Sequence, residues 1–116
     1  MKEIDKLVNE LNKIKTVKAA ILFGSYAKGK QRSESDIDVC IISDKGDSKA
    51  LEFSSEKYDI SLFCRMPLYI QYRVFRDGKV LLCKDDGLLS RLKYLTLTSY
   101  LDEKYWRDKF VEKVLS

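Results

Sequence analysis

Histidine is absent from this 116-residue chain, and its absence excludes several kinds of functional site. Without an imidazole there is neither His-based general acid–base catalysis nor a Ser-His-Asp triad. The three cysteines have no C-x-x-C spacing, so without histidine a structural zinc site is not expected. Because Cys40, Cys64 and Cys83 each lie in an apolar run, we expect them to be buried, reduced thiols.

The chain also lacks long apolar runs, internal repeats and low-complexity linkers. No run is long enough to span a bilayer, and the charged N-terminal segment lacks the apolar centre of a signal peptide. We therefore expect a cytoplasmic protein that does not bind membranes. With 45% apolar and 34% charged residues, the composition is typical of a globular chain.

The length predicts one domain, residues 1–116, without room for a separate substrate domain. A second substrate would then be held by a partner or by a small surface of this domain. The net charge of +4, from 22 basic and 18 acidic residues, is compatible with nucleotide binding. It does not by itself indicate DNA or RNA, and no direct contact with nucleic acid is expected.

Two short motifs at a fixed spacing point to the chemistry. Gly24-Ser25 ends one apolar run, and Asp36-Ile37-Asp38 begins the next after ten intervening residues. Strand alternation places Asp36 and Asp38 on one face, ~6.6 Å apart along the backbone, where both can bind one hard cation. Glycine lets backbone approach a ligand, and a helix starting at Ser25 would aim N–H groups and a hydroxyl at phosphate. Carboxylates for Mg²⁺ beside a phosphate site indicate phosphoryl or nucleotidyl transfer.

Hydrophobic periodicity predicts an α+β domain with about four strands. Apolar residues at helical spacing predict an amphipathic N-terminal helix, and Pro67 and Gly78 mark the two ends of another helix. The predicted strands are 17–23, 36–43, 57–64 and 79–83. Helices are predicted over 2–15 and 67–77, with a short helix over 26–30. Loops are predicted over 31–35 and 44–55, the second with a short helix or edge strand near 51–53.

The spacing of Gly24-Ser25 and Asp36-x-Asp38 resembles the signature of the nucleotidyltransferase superfamily related to DNA polymerase beta, and the short chain is similar to its minimal nucleotidyltransferase (MNT) branch. The resemblance covers about residues 17–85 and is densest over 21–42. It implies the nucleotidyltransferase fold, a small mixed sheet flanked by helices, with about 86–116 as a C-terminal helical extension. It also implies two Mg²⁺ ions as cofactors and ATP as the donor.

In the family a third carboxylate lies on a later strand between apolar residues, and Asp59 matches that position. By the family pattern, Asp36 and Asp38 hold the donor metal, and Asp59 joins Asp38 or Asp36 at a second metal and helps to deprotonate the acceptor. Taken singly, each aspartate also has an ordinary explanation as a strand cap, an exposed strand residue or an ion-pair partner. The nucleotide-binding residues implied by the resemblance are Gly24, Ser25 and Lys28.

The resemblance implies transfer of AMP from ATP·Mg²⁺ to a hydroxyl. Many such short domains are encoded beside a small helical HEPN toxin and act as its antitoxin by adenylylating a tyrosine on it. Two alternatives stay open. One is a non-catalytic binding module that masks its partner, and the other is a small-molecule nucleotidyltransferase of the aminoglycoside-modifying type, which would need a homo-oligomer to complete its acceptor site.

The segment from Leu88 to Leu115 contains no proline or glycine and predicts one long helix, or a helix pair broken near Ser99 or Asp102. Its apolar residues form two stripes. One consists of Tyr94, Leu97, Leu101 and Tyr105, and the other of Trp106, Phe110 and Val114. The sequence leaves open whether the second stripe packs on the sheet or binds a partner.

Overall fold

A computed structural model of the chain describes residues 2–24, 37–43, 49–53 and 57–115. In these residues helices and strands follow in the order α1 (Lys2–Asn12), β1 (Val17–Phe23), β2 (Ile37–Ser43), β3 (Tyr58–Leu62), α2 (Leu68–Asp77), β4 (Lys79–Cys83) and α3 (Asp86–Leu115). Short 3₁₀ helices, Lys49–Phe53 and Phe63–Arg65, come before and after β3. None of the helices described is both long and apolar enough to cross a membrane.

The four strands form one mixed sheet in the order β3-β2-β1-β4. β1 pairs antiparallel with both β2 and β4, whereas β2 and β3 run parallel. As a result, the C-terminal end of β1 and the N-terminal ends of β2, β3 and β4 meet at the same end of the sheet. We call this the motif end, and its residues are Phe23, Ile37, Tyr58 and Lys79. The predicted four-stranded mixed sheet is confirmed.

Side-chain alternation along the strands divides the core into two clusters, one on each face of the sheet. α1 covers the first face, where its apolar residues pack with Val39 and Ile41. α2 and the first turns of α3 cover the second face, around Cys40, Phe63 and Val74. Because β1 and β2 bury side chains on both faces, their sequences are nearly continuous in apolar residues.

β3 is shorter than the sequence predicts, and this changes the surroundings of one cysteine. The predicted strand over 57–64 ends at Leu62, and Phe63–Arg65 forms a 3₁₀ turn. The turn directs Phe63 into the core but leaves Cys64 exposed, so the prediction that all three thiols are buried is wrong for Cys64. Cys40 is buried, Cys83 is half-buried, and all three are free thiols.

The helices begin and end near the predicted residues, with small differences. α1 stops three residues earlier than predicted, and α2 begins at Leu68 with Pro67 as its N-cap residue. α3 is a single helix without a break, which fits a run of good helix formers. Its N-terminus is capped by Asp85, whose carboxylate accepts the Leu88 N–H at 3.0 Å.

Gly78 is needed for close packing where α2 ends. Its N–H donates to the Val74 carbonyl at 2.8 Å, and its φ of −74° does not itself require glycine. A Cβ at this position would collide with that carbonyl oxygen and press on Ile21. We expect Gly78→Ala to lower the free energy of unfolding by about 1–3 kcal/mol, measured by urea denaturation.

Gly87 provides a matched control for this substitution. It lies in the first turn of α3, and a Cβ there would meet only the Asp85 carboxylate at an ordinary 3.5 Å. Gly87→Ala should therefore keep the stability or raise it by up to about 1 kcal/mol, because alanine favours helix. Equal stability losses in the two variants would contradict the packing explanation.

Candidate active site

Two of the predicted catalytic carboxylates are direct neighbours on adjacent strands. Asp38 of β2 and Asp59 of β3 are register partners in the parallel pair, which places their Cα atoms about 4.8 Å apart. Both lie on the face covered by α2 and α3, because Ile37 and Val39 point to the opposite face. Asp38 is half-buried and Asp59 is exposed, so this pair lies where the sheet meets solvent at the motif end.

Gly24 directly follows β1 and lies against the carboxylate of Asp38. Its φ of +76° is in the left-handed region, which residues with a Cβ rarely adopt. A Cβ at position 24 would also collide with the Asp38 carboxylate. Phe23, the preceding residue, is the register partner of Asp38, so sheet pairing itself sets this close approach.

Three predicted site residues, Ser25, Lys28 and Asp36, lie outside the described residues. The structure therefore brings together Gly24, Asp38 and Asp59. In the described segments no three His, Cys, Asp or Glu side chains gather as a metal site, and the third carboxylate of the predicted triad is not among those segments. The three-carboxylate site stays a prediction.

Cys40 lies between the candidate site and the core. It follows Asp38 on the same face of β2, but it is fully buried and its thiol donates to the Met66 sulfur at 3.9 Å. Burial, together with the nearby Cys64 thiol, raises the pKa of Cys40 to about 12. Because the thiolate is the form that binds metals, this shift disfavours Cys40 as a ligand.

A family model described as "Polymerase beta, Nucleotidyltransferase" matches residues 5–87, a span that includes the sheet, the two carboxylates and Gly24. The chain belongs to this family. It is also 32% identical over 90 residues to a protein of Methanocaldococcus jannaschii named "Putative protein adenylyltransferase MJ1547", with 76% of this chain and 68% of the relative covered.

Solved structures show that the fold of this nucleotidyltransferase extends to the end of α3. A chain from a toxin–antitoxin crystallised with AMP-PNP superposes with a TM-score of 0.72 at 22% identity, covering 99% of this chain and 98% of the other. A chain from the complex of a tri-AMPylated Shewanella oneidensis HEPN toxin with its MNT antitoxin gives 0.65 at 20% identity, covering 99% and 95%. These likenesses establish a shared fold.

The carboxylate pair of this nucleotidyltransferase fits a divalent cation. Asp38 and Asp59 supply oxygen ligands of the type that Mg²⁺ prefers. Like charges on directly opposite strand residues repel each other, and a cation between them would remove that repulsion. The absence of a side chain at Gly24 keeps the space beside the Asp38 carboxylate open.

Sequence reasoning missed two lysines that the fold places at the motif end. The backbone carbonyl of Lys57 accepts the Ile37 N–H at 2.8 Å and so fixes the start of β2 next to Asp38. Lys79 is the register partner of Leu22, one position before the end of β1. Because Leu22 packs on the α1 face, its partner Lys79 lies on the face opposite the carboxylates, whereas Lys57 is two residues before Asp59. Neither lysine lies in a motif, so only strand pairing reveals their placement.

A cavity of about 380 Å³ lies at the opposite end of the sheet from the carboxylates. Its lining includes Lys18, Ser43, Phe63, Cys64, Asp85 and Leu88. Because this cavity contains neither carboxylate of the pair, it is separate from the candidate active site.

Proposed function

We propose that this nucleotidyltransferase transfers AMP from ATP to a tyrosine hydroxyl of a HEPN-type toxin and thereby acts as its antitoxin. The observation that carries the proposal is the cross-strand pairing of Asp38 with Asp59 beside Gly24. The relative named as a protein adenylyltransferase and the neighbour that contains an AMPylated HEPN toxin support this choice of reaction and partner. We place the reaction in the cytoplasm, where ATP and newly made toxin are present.

The proposed reaction is a single nucleotidyl transfer. The tyrosine oxygen attacks the α-phosphorus of ATP and forms a new P–O bond. The bond from the α-phosphorus to the oxygen that bridges to the β-phosphorus breaks, and pyrophosphate leaves with the electron pair. The hydroxyl proton passes to a carboxylate or to water, and the product is tyrosyl-AMP on the toxin.

The residues of this chain have separate roles in the proposal. Asp59 is the more exposed carboxylate, and we assign it the role of accepting the proton of the incoming hydroxyl. Gly24 allows the donor's phosphates to approach the backbone at the end of β1. Ser25 and Lys28 would contact the phosphates by a hydroxyl and by positive charge.

Mg²⁺ would be held by Asp36, Asp38 and Asp59, through two ions as the family pattern implies. When bound, the metal neutralises charge on the phosphates and lowers the pKa of the attacking hydroxyl. Of these ligands, Asp38 is two residues after Asp36 in the sequence and lies directly opposite Asp59 in the sheet.

The test uses a HEPN-type toxin as the acceptor, incubated with the chain, Mg²⁺ and ATP labelled at the α-phosphorus. We expect the label to appear on a tyrosine of the toxin, identified by mass spectrometry, whereas label at the γ-phosphorus stays in pyrophosphate. Replacing Mg²⁺ by EDTA should abolish transfer, because the carboxylates hold the donor through the metal.

Binding of ATP can also be measured without the partner. ATP with Mg²⁺ should stabilise the chain by about 2.7 kcal/mol at a hundred-fold excess over Kd, seen as a rise in melting temperature. ATP with EDTA should give a much smaller rise. A stable complex with the toxin, but no labelled tyrosine, would contradict AMP transfer and favour masking by contact.

A further inference from the structure

The second half of α3 presents large apolar side chains that the rest of the domain does not cover. Trp106, Phe110 and Val114 are 64%, 69% and 62% exposed. We call these three residues the distal stripe. Every side chain from 101 to 114 is exposed, so this half of the helix extends away from the sheet. The helix is about 45 Å long, in a chain that measures 54 × 33 × 20 Å.

The distal stripe lies on the same side of α3 as the residues by which the first half of this helix packs onto the sheet. Each of its members lies 18 residues after a residue of that packing face. Eighteen residues are five turns of 3.6, so the two sets lie in line along one side of a straight helix, about 27 Å apart. The corresponding packing residues are Leu88, Leu92 and Thr96. The distal stripe is therefore a packing face that none of the described segments covers.

The opposite side of α3 is also apolar. Leu101 and Tyr105 are 57% and 54% exposed on that side. The last aromatic contact with the body is at Tyr100, whose ring stacks on Tyr72 at 4.0 Å between centroids. Beyond that point a single helix from a partner would cover one side of α3 and leave the other in water. A groove between two helices would cover both sides.

A second copy of this chain fits the distal stripe poorly in a parallel arrangement. Glu103 lies one heptad before Phe110, and Lys113 lies one heptad after Trp106, so both belong to the same seam. Parallel pairing places each residue opposite its own copy. Glutamate would then face glutamate and lysine would face lysine inside the seam, which is unfavourable.

An antiparallel arrangement of two copies brings both like and unlike charges together. The pairing that sets Trp106 against Phe110 of the other copy is centred on residue 108. Arg107 and Lys109 then flank the seam on its two sides, and each lies near its own copy. In the same pairing Glu103 lies opposite Lys113 of the other copy, so the charges do not exclude an antiparallel pair. A second copy would nevertheless offer one helix and leave Leu101 and Tyr105 in water, so the two apolar sides of α3 favour a partner that offers two helices.

We propose that the distal stripe, with Leu101 and Tyr105 behind it, is the docking surface for a partner protein that offers an apolar groove between helices. In the proposed function this partner is the HEPN-type toxin. The identity of the partner rests on that proposed function, whereas the surface rests on the exposure and the five-turn register of α3. Trp106 is the anchor, because tryptophan most often dominates the energy of an interface.

The experiment uses the single tryptophan of the chain as its reporter. The full chain is labelled with 5-fluorotryptophan, and its ¹⁹F resonance is recorded with and without the same unlabelled HEPN-type toxin that is used in the transfer assay. We expect the free chain to sediment as a monomer with a solvent-exposed resonance. Addition of the toxin should shift the resonance and protect it from a soluble paramagnetic quencher.

Variants then measure how much the stripe contributes. The double substitution Trp106→Ala with Phe110→Ala should weaken toxin binding by about 30-fold or more. Its melting temperature should stay near that of the wild type, because both side chains are exposed in the free chain. Tyr69→Ala is the matched control, since Tyr69 is an aromatic residue of similar exposure on α2, and it should bind normally.

The outcomes separate this inference from the proposed function. Toxin binding and AMP transfer with an unchanged tryptophan resonance would overturn the docking surface and leave the function standing. A buried resonance without transferred AMP would support the docking surface and contradict the reaction. Self-association lost in the double variant would assign the stripe to a second copy, and a wild-type chain that does not bind the toxin would overturn the proposed partner.

Discussion

Asp38→Asn is expected to lower AMP transfer by about 10³-fold or more while leaving the fold intact. Asp38 lies opposite Asp59 and against Gly24, so it is central to the proposed metal site. Losses of 10²–10³ are typical when one group that stabilises transition-state charge is removed, and a lost metal ligand should cost at least as much. The measurement is the initial rate of label transfer from ATP to the toxin.

The same substitution should not destabilise the chain in the absence of metal. Removing one of two neighbouring negative charges relieves repulsion, so the melting temperature should hold or rise slightly. Asp5→Asn is a suitable control, because Asp5 is exposed on α1, which packs on the other face of the sheet. An Asp38→Asn variant that transfers AMP within tenfold of the wild-type rate would contradict the assignment.

Gly24→Ala is expected to impair both stability and transfer. The left-handed φ of +76° costs a residue with a Cβ about 1–2 kcal/mol, and the collision with the Asp38 carboxylate adds to it. We expect a total loss of about 2–4 kcal/mol in the free energy of unfolding. The rate of AMP transfer should fall even in the folded variant, because the variant must displace the Asp38 carboxylate to fold. Rates are therefore compared at a temperature where both proteins are folded.

A double-mutant cycle separates the two causes of the stability loss. In an Asp38→Ala background the collision is gone, so adding Gly24→Ala should cost only the backbone part, about 1–2 kcal/mol. The coupling between the two positions then equals the cost of the collision. If Gly24→Ala costs the same with and without the carboxylate, the close approach of Gly24 to Asp38 does not constrain the site.

The sequence predicts which aspartates matter because alternation along a strand is local. It separates Asp38 from Ile37 and Val39 by face, and it identifies Asp59 as an unusual charge in an apolar strand. The pairing of Asp38 with Asp59 is different, because these residues are 21 positions apart and their register depends on how two separate strands align. Local patterns do not determine that alignment, and here the resemblance to the family supplied the connection.

The sequence does not determine how far the sheet and its packed surface extend. The exposure of Cys64 was predicted wrongly and that of the second stripe of α3 was left open for this reason. Cys64 lies in an apolar run, and only the end of β3 at Leu62 explains its exposure. For α3, both apolar stripes satisfy the same helical spacing. Whether Trp106 is core or surface depends on how far the sheet extends, and the periodicity of the helix carries no information about that.

The length of α3 beyond Tyr100 has a consequence for the helix–coil equilibrium of the chain. About fifteen residues there are exposed on every side, and isolated helices of this length are marginal in water. We therefore expect amide protons in the distal half to exchange through local fraying, and those around buried Thr96 to exchange only in larger openings. A protein that binds the distal half must suppress this fraying, so part of its contact energy offsets the conformational entropy that these turns lose.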